Sequence, residues 1–227
     1  MENFLSVISS TPLFKGLPQS QLEKIEKIAV KRNFGKGELI FSEGDESDGF
    51  YIVAKGMVKI YKVSLEGKEQ ILHIFGQGEP FGEVPVFSGS AFPANAQAIE
   101  KCSMIFFPRD TFVQFISENI PVVLNMLGLL SMRLRQFTVQ IENLSLKEVP
   151  GRLAGYLLLL AEEQQNEDII QLNISKGQLA SLLGTIPETL SRIFSKMNDM
   201  ELIEVKGRNI KILDSDEMED LAEHGKI

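Results

Sequence analysis

With 227 residues, 44% hydrophobic and 24% charged, the chain is sized for two modest domains and composed like a folded, soluble protein. A formal net charge of −8 excludes general electrostatic attraction to nucleic acid, so any such partner has to be held by a local cluster of bases. No apolar run approaches the roughly 18 residues of a bilayer span, and Met1-Glu2-Asn3 carries an acid where a secretory leader carries bases, so the expectation is a cytoplasmic protein without a membrane partner.

Residues 1–30 place Leu5 and Ile8, then Leu22, Ile25 and Ile28, at steps of three and four, which predicts helices, the second begun at Pro18 and Ser20. From Asn33 the pattern changes to short apolar runs over 38–41, 50–53, 57–61, 70–75 and 103–107, divided by Gly37, Gly44, Gly56, Gly67, Gly78 and Gly82. Short strands separated by glycine turns predict an antiparallel sandwich or barrel. Cys102, the one cysteine, excludes an internal disulfide and a cysteine-held iron–sulfur cluster.

After Pro108 a long helix is expected. Val123, Leu127, Leu130, Leu134, Phe137, Ile141 and Leu144 follow one another at alternating steps of four and three, a heptad seam. A helix packed wholly on its own sandwich is the competing account. The polar flanks, Arg133, Arg135, Gln136, Gln140, Glu142 and Asn143, favour pairing with a second copy. Residues 147–150 break the helix and begin another, with Glu148 at the cap, Pro150 in the first turn, and Leu153, Tyr156, Leu157 and Leu160 on the buried face. The expected domains are a sensor over 1–110, a dimer helix over 111–147 and a C-terminal domain over 148–227.

Within the last of these, Ser175 is placed to cap a helix with Leu179, Leu182 and Leu183 on its inner face. Gly184 ends it, and Thr185-Ile186-Pro187 turns into a second helix that buries Leu190, Ile193, Phe194 and Met197. Two short helices around a glycine turn predict a helix-turn-helix, whose second helix meets base edges in the major groove. Glu188, Thr189, Ser191 and Arg192 are the candidate base contacts. Arg192 can donate twice to guanine, Glu188 can accept from cytosine N4 and orient Arg192, and Ser191 is short enough to approach a base edge. Ser175, Lys176, Thr185, Lys196 and Arg208 are the candidate phosphate contacts. Residues 202–213 predict a basic hairpin turning at Gly207, a wing. These bases form the local cluster that the net charge demands.

Lys36-Gly37-Glu38 with Glu43-Gly44-Asp45, Phe50-Tyr51-Ile52-Val53, Gly56, Phe81-Gly82-Glu83 and the 187–192 string together resemble the family of the cyclic-AMP receptor protein and the fumarate-nitrate reduction regulator, over nearly the whole chain. The resemblance implies an α+β fold: a cyclic-nucleotide-binding β-roll (a jelly roll), a long dimerisation helix and a winged helix-turn-helix. It also implies a homodimer on double-stranded DNA, RNA polymerase as a partner, and control by a small effector. Glu188-x-x-Ser191-Arg192 resembles the fumarate-nitrate branch, which implies a palindrome related to TTGA…TCAA.

The departures from the family bear on the effector. Members that bind cyclic AMP follow the Gly-Glu of their phosphate cassette with an Arg-Ser pair. The matching stretch here, Phe92-Pro93-Ala94-Asn95-Ala96-Gln97-Ala98, has no basic residue, and Pro93 lacks an amide donor. The polar pair that holds adenine aligns with Phe137-Thr138. Cyclic AMP is therefore not expected. Leu144-Ser145-Leu146-Lys147 and Ala96-Gln97-Ala98 resemble the dissimilatory nitrate-respiration regulators, which implies nitric oxide as effector, sensed through haem. Phe81, Gly82, Glu83, Phe87, Phe92, Asn95, Met126 and Phe137, with Phe75, are the candidate pocket lining. His73 is the candidate haem ligand, although a strand histidine beside apolar neighbours is more often a packed one than a ligand. His224 lies near the chain end and Cys102 on a strand. The competing function is a small-molecule-binding module that uses its winged helix for protein contacts. No nucleophile–base pair, metal-ligand spacing or phosphate loop points to an enzyme.

Overall fold

The computed structural model describes residues 4–166 and 169–225. Contacts divide the chain into two compact units, Met1–Leu134 and Arg135–Ile227, a division that falls inside the long helix rather than at either of its ends.

The first unit opens with α1 (Phe4–Ser10), a single 3-10 turn at Pro12–Phe14 and α2 (Gln19–Ile28), which Pro18 caps with extended backbone. Eight strands follow: β1 (Val30–Phe34), β2 (Leu39–Phe41), β3 (Gly49–Lys55), β4 (Val58–Val63), β5 (Glu69–Phe75), β6 (Pro80–Phe81), β7 (Asn95–Ala98) and β8 (Cys102–Pro108). They form two antiparallel sheets, ordered β1-β8-β3-β6 and β2-β7-β4-β5. Between the sheets lies an aromatic core of Phe41, Tyr51, Phe75, Phe81, Phe92 and Phe106 with Val53, Val58 and Met104. On the outer face of the first sheet, Phe50, Ile52, Ile105 and Phe107 pack against Ile8, Phe14, Ile25 and Phe112 from the helices. Strands β3 and β8 are thus buried on both faces, which is why their sequences read as unbroken apolar runs.

Beyond Pro108 the single long helix expected from the sequence is two. Helix α4 (Arg109–Ser117) and helix α5 (Ile120–Leu146) meet at 113°. Asn119 Nδ2 donates to the Phe115 carbonyl at 2.6 Å and closes α4. Pro121 has no amide to carry the ladder across that point, whereas the first turn of a new helix needs none. Of α5 only Val122 and Met126 are buried; Leu127, Leu134 and Ile141 are 55%, 69% and 64% exposed.

The second unit contains the rest of α5, then α6 (Val149–Gln164), β9 (Ile169–Gln171), α7 (Lys176–Leu182), α8 (Pro187–Asp199), β10 (Ile203–Lys206), β11 (Asn209–Ile212) and α9 (Ser215–His224). Glu148 takes the N-cap position of α6, but its side chain makes no capping bond. The three strands pair antiparallel in the order β10-β11-β9, and α9 packs on α6. Gly207 turns the β10–β11 hairpin at φ +68°, with Lys206 opposite Asn209.

Candidate nucleic-acid interface and sensor site

The helix-turn-helix is fixed at the start of its first helix and at the turn between the two. Ser175 and Gln178 form a reciprocal capping box at the start of α7: Gln178 N donates to Ser175 Oγ at 3.2 Å, and Ser175 N to Gln178 Oε1 at 2.8 Å. Gly184 at φ +68° ends α7, and Pro187 in the first turn starts α8. Helix α8 buries Leu190, Phe194 and Met197 and leaves Glu188, Ser191, Arg192 and Lys196 exposed. Steps of three and four put these four on one side of the helix.

Each expected contact has a definite local setting. Arg192 Nη2 donates to Thr189 Oγ1 at 3.4 Å, so Thr189, not Glu188, is the residue that orients the guanidinium; no ion pair joins Glu188 to Arg192 among the described residues. Ser191 Oγ donates to the Pro187 carbonyl at 2.8 Å, which turns its oxygen lone pairs outward as acceptors. The Lys176 ammonium stands 5.0 Å from the Phe194 ring centroid. Thr185 is half-buried in the turn, its amide donating to Ala180 O. On the wing Arg208 is exposed, while Glu204 offsets the charge of Lys206 at 2.8 Å. The Ser175-x-x-Gln178 spacing was available in the sequence as a capping signal, and Thr189, expected as a base contact, is here the partner of Arg192.

Of the residues expected to line the sensor pocket, Glu83 and Met126 line one small cavity with Leu13, Phe50 and Pro80, and the others of the first unit are not among its lining. Phe81 and Phe92 lie in the aromatic core, Met126 packs in the other core on the outer face of the sheet, and Phe87 is 45% exposed on α3 (Val84–Ser88). Phe137 belongs to the second unit and is exposed. Asn95 is engaged in backbone work, accepting from Glu43 N at 3.0 Å and donating to Tyr61 O. Where a cyclic phosphate would need free amides, Phe92 N donates to Asp45 O and Gly44 N to Phe92 O. Lys62 reaches the Pro93 carbonyl at 3.0 Å, but Glu43 neutralises it.

The interior itself is filled. Phe41 and Phe92 stack with centroids 3.7 Å apart and planes at 4°, and Tyr51 stacks on Phe81. Gly82, at φ +75°, passes so close that a Cβ there would stand 3.2 Å from Phe41 and 3.3 Å from Phe92. Beside this core Arg133, from α5, pairs with Glu83, donates to the Pro80 carbonyl and covers the Phe75 ring. Burial pushes the Glu83 carboxyl up, and Arg133 pulls against it. Burial also acts to raise Glu79, but the neighbouring His73, the Gly76 amide that donates to it and the Arg133 charge bring it below the usual carboxylate range. Burial likewise pushes the Cys102 thiol up, and it donates to the Met57 carbonyl. His73 faces Glu79 at 4.0 Å with its ring against Phe75. So packed, the described residues leave no flat void for a porphyrin and no imidazole aimed into one: they do not fit haem.

Two family models match in order along the chain, the cyclic nucleotide-binding domain over residues 31–119 and the Crp-like helix-turn-helix domain over 151–221. The cAMP-activated global transcriptional regulator CRP of Pasteurella multocida is 30% identical over 74% of this chain and 83% of its own. The crystal structure of DNR from Pseudomonas aeruginosa is 32% identical with a TM-score of 0.51, covering 97% of this chain and 98% of DNR. FixK2 of Bradyrhizobium japonicum, 24% identical over 86% of this chain and 97% of its own, shares the fold at a TM-score of 0.76. The chain belongs to the CRP/FNR family of DNA-binding transcription regulators, and it is not an enzyme.

Proposed function

We propose that the chain works in the cytoplasm as a two-fold dimer that reads an inverted repeat related to TTGA…TCAA and acts on RNA polymerase under the control of an effector other than cyclic AMP. The observation that carries the reading is the outward side of α8. Glu188, Ser191 and Arg192 stand together in solvent above a buried Leu190–Phe194–Met197 face, with the Arg208 hairpin following in the same unit. Arg192 suits guanine, Glu188 suits cytosine N4, and Ser191 adds an acceptor at a base edge. Lys176, Thr185, Lys196 and Arg208, with Ser175 at the helix start, serve the phosphates. The exposed seam of α5 supports the dimer, since Leu127, Leu130, Leu134, Phe137, Ile141 and Leu144 would otherwise face water along one side.

The case against cyclic AMP rests on a cassette without a cation, amides already bonded, and an interior occupied by stacked rings. Nitric oxide is the alternative effector, on the resemblance of residues 144–147 and 96–98 to the nitrate-respiration regulators. Because the packed interior does not fit haem, no step of sensing is routed through it. Selection of binding sites from a random duplex pool tests the proposal. Enrichment of TTGA and TCAA in inverted order is expected, and enrichment without two-fold symmetry would reject the dimer.

A further inference from the structure

We propose that α9 is a clamp on the elbow between α5 and α6, holding the DNA-reading helices at a set angle to the long helix. Three observations meet at that elbow, all within the second unit. Lys147, the first of the two residues between the helices, sends its ammonium to the Ala222 carbonyl in the last turn of α9 at 2.7 Å. There a cation also meets the negative end of the helix. Gly225, which ends α9 at φ +81° with its amide on Leu221 O, lies against Lys147 and Glu148. Gly151, in the first turn of α6, lies so close to α9 that a Cβ there would stand 2.5 Å from Gly225 Cα and 2.9 Å from Leu221 O. Both near atoms are backbone, so no side chain can move aside to admit a larger residue.

Besides backbone bonds, Lys147 N to Asn143 O and Arg152 N to Glu148 O, a side chain crosses the elbow: Arg152 Nη1 donates to the Leu144 carbonyl at 3.2 Å, from a guanidinium whose pKa burial lowers. The Arg152 Nε is buried with no hydrogen-bond partner among the described residues, so this tie is incompletely satisfied. The α9 contacts supply what it lacks. Met218 and Leu221 are buried and fix α9 on α6, Gly155 approaches Ala222, and the C-terminal end of α9 is left as a stop against the elbow. A change of angle between α5 and α6 has to break the Lys147–Ala222 bond and lift Gly225 from its seat. Any signal that travels along α5 to the reading helix therefore passes through a joint gated by α9. The inference rests on α8 as the DNA reader but not on the dimer, because every contact lies within one chain.

Hydrogen exchange on the full chain, read by mass spectrometry, tests it with two variants. Lys147→Met keeps the length of the side chain and removes the ammonium, and Gly151→Ala wedges α9 away. In both, amides over 143–152 are expected to exchange about tenfold faster, the change in local opening that follows loss of one charge-assisted hydrogen bond, while amides of α8 exchange as in the wild type. Unchanged exchange at the elbow overturns the clamp. So does uniform loosening of the whole second unit, which would make α9 a general support for the fold. If Gly151→Ala does not fold, Lys147→Met decides alone. Failure of α8 as the reader would show separately, as full base discrimination by Arg192→Ala protein, and would leave the exchange result standing.

Discussion

Arg192 leaves α8 one turn beyond Glu188, is exposed, and donates from its guanidinium Nη2 to the Thr189 hydroxyl. Arg192→Ala should cost about 1–3 kcal/mol of specific binding and relax discrimination at one guanine in each half-site. Lys196→Ala and Arg208→Ala should instead weaken all sequences alike and lower the dependence of binding on salt. Affinities measured on a base-substituted duplex series at several salt concentrations separate the two classes. A second expectation concerns the three tyrosines, Tyr51, Tyr61 and Tyr156, all raised above 10 chiefly by burial, Tyr156 to about 12. A raised folded-state pKa means that the stability from the neutral hydroxyl is intact below pH 10, the unfolded value, and is lost as pH climbs toward 12. The Tyr156 share of the phenolate absorbance should thus rise late and together with unfolding, and Tyr156→Phe should remove that share and move the unfolding to higher pH. Appearance of the Tyr156 share near pH 10 in folded protein, seen as the difference from Tyr156→Phe, would contradict it. At this scale the sequence exposed what short-range spacing carries. Ser175 and Gln178 are three residues apart and Glu188 and Arg192 four, but Arg133 and Glu83 are fifty apart, and only the folded chain brings them together.

Among the elements, those with a single strong period were readable and those with a divided role were not. Helix α8 shows its buried face plainly, and β3 shows as an apolar run. Strand β1, Val-Lys-Arg-Asn-Phe, hid because its inward Arg32 is covered by stacking on Phe106 at 3.7 Å and by donating to the Tyr51 hydroxyl, so a charged residue occupies an inner position. Strands β6 and β7 are two and four residues long, with no β-branched side chain, and are held by their neighbours in the sheet. The break between α4 and α5 was carried by Pro121, whose place in a first turn rather than mid-helix only the Asn119 cap decides. The seam of α5 gives the prediction at this scale. Ile141, 64% exposed, would be buried against its symmetry mate in a dimer, and a carboxylate there would cost on the order of several kcal/mol. Sedimentation of Ile141→Glu should show monomer where the wild type shows dimer, and a persistent dimer would move the interface off the seam.

For the molecule as a whole, a cyclic-nucleotide-binding-type β-roll and a Crp-like helix-turn-helix domain lie on either side of one long helix that is divided between the two units. The order of the two domains was legible because a switch from glycine-punctuated strands to helical periodicity is a coarse signal that survives many local exceptions. The pocket was not legible, since a list of aromatic residues does not say whether their rings line a space or fill it. Here they fill it. Cyclic AMP at millimolar concentration should accordingly leave the melting temperature unchanged, whereas a ligand at 100 times its Kd would add about 2.7 kcal/mol of stability, which a thermal melt resolves easily. The central claim, a dimer that reads a two-fold DNA site through α8, is tested most directly by titrating the protein onto an inverted TTGA…TCAA duplex and onto the same duplex with one half-site scrambled, with stoichiometry and salt dependence followed together. The account predicts two chains on each intact duplex, affinity higher by about a thousandfold or more than on nonspecific DNA, and steep weakening with salt. Equal affinity for the intact and scrambled duplexes, or one chain bound to each, would contradict it.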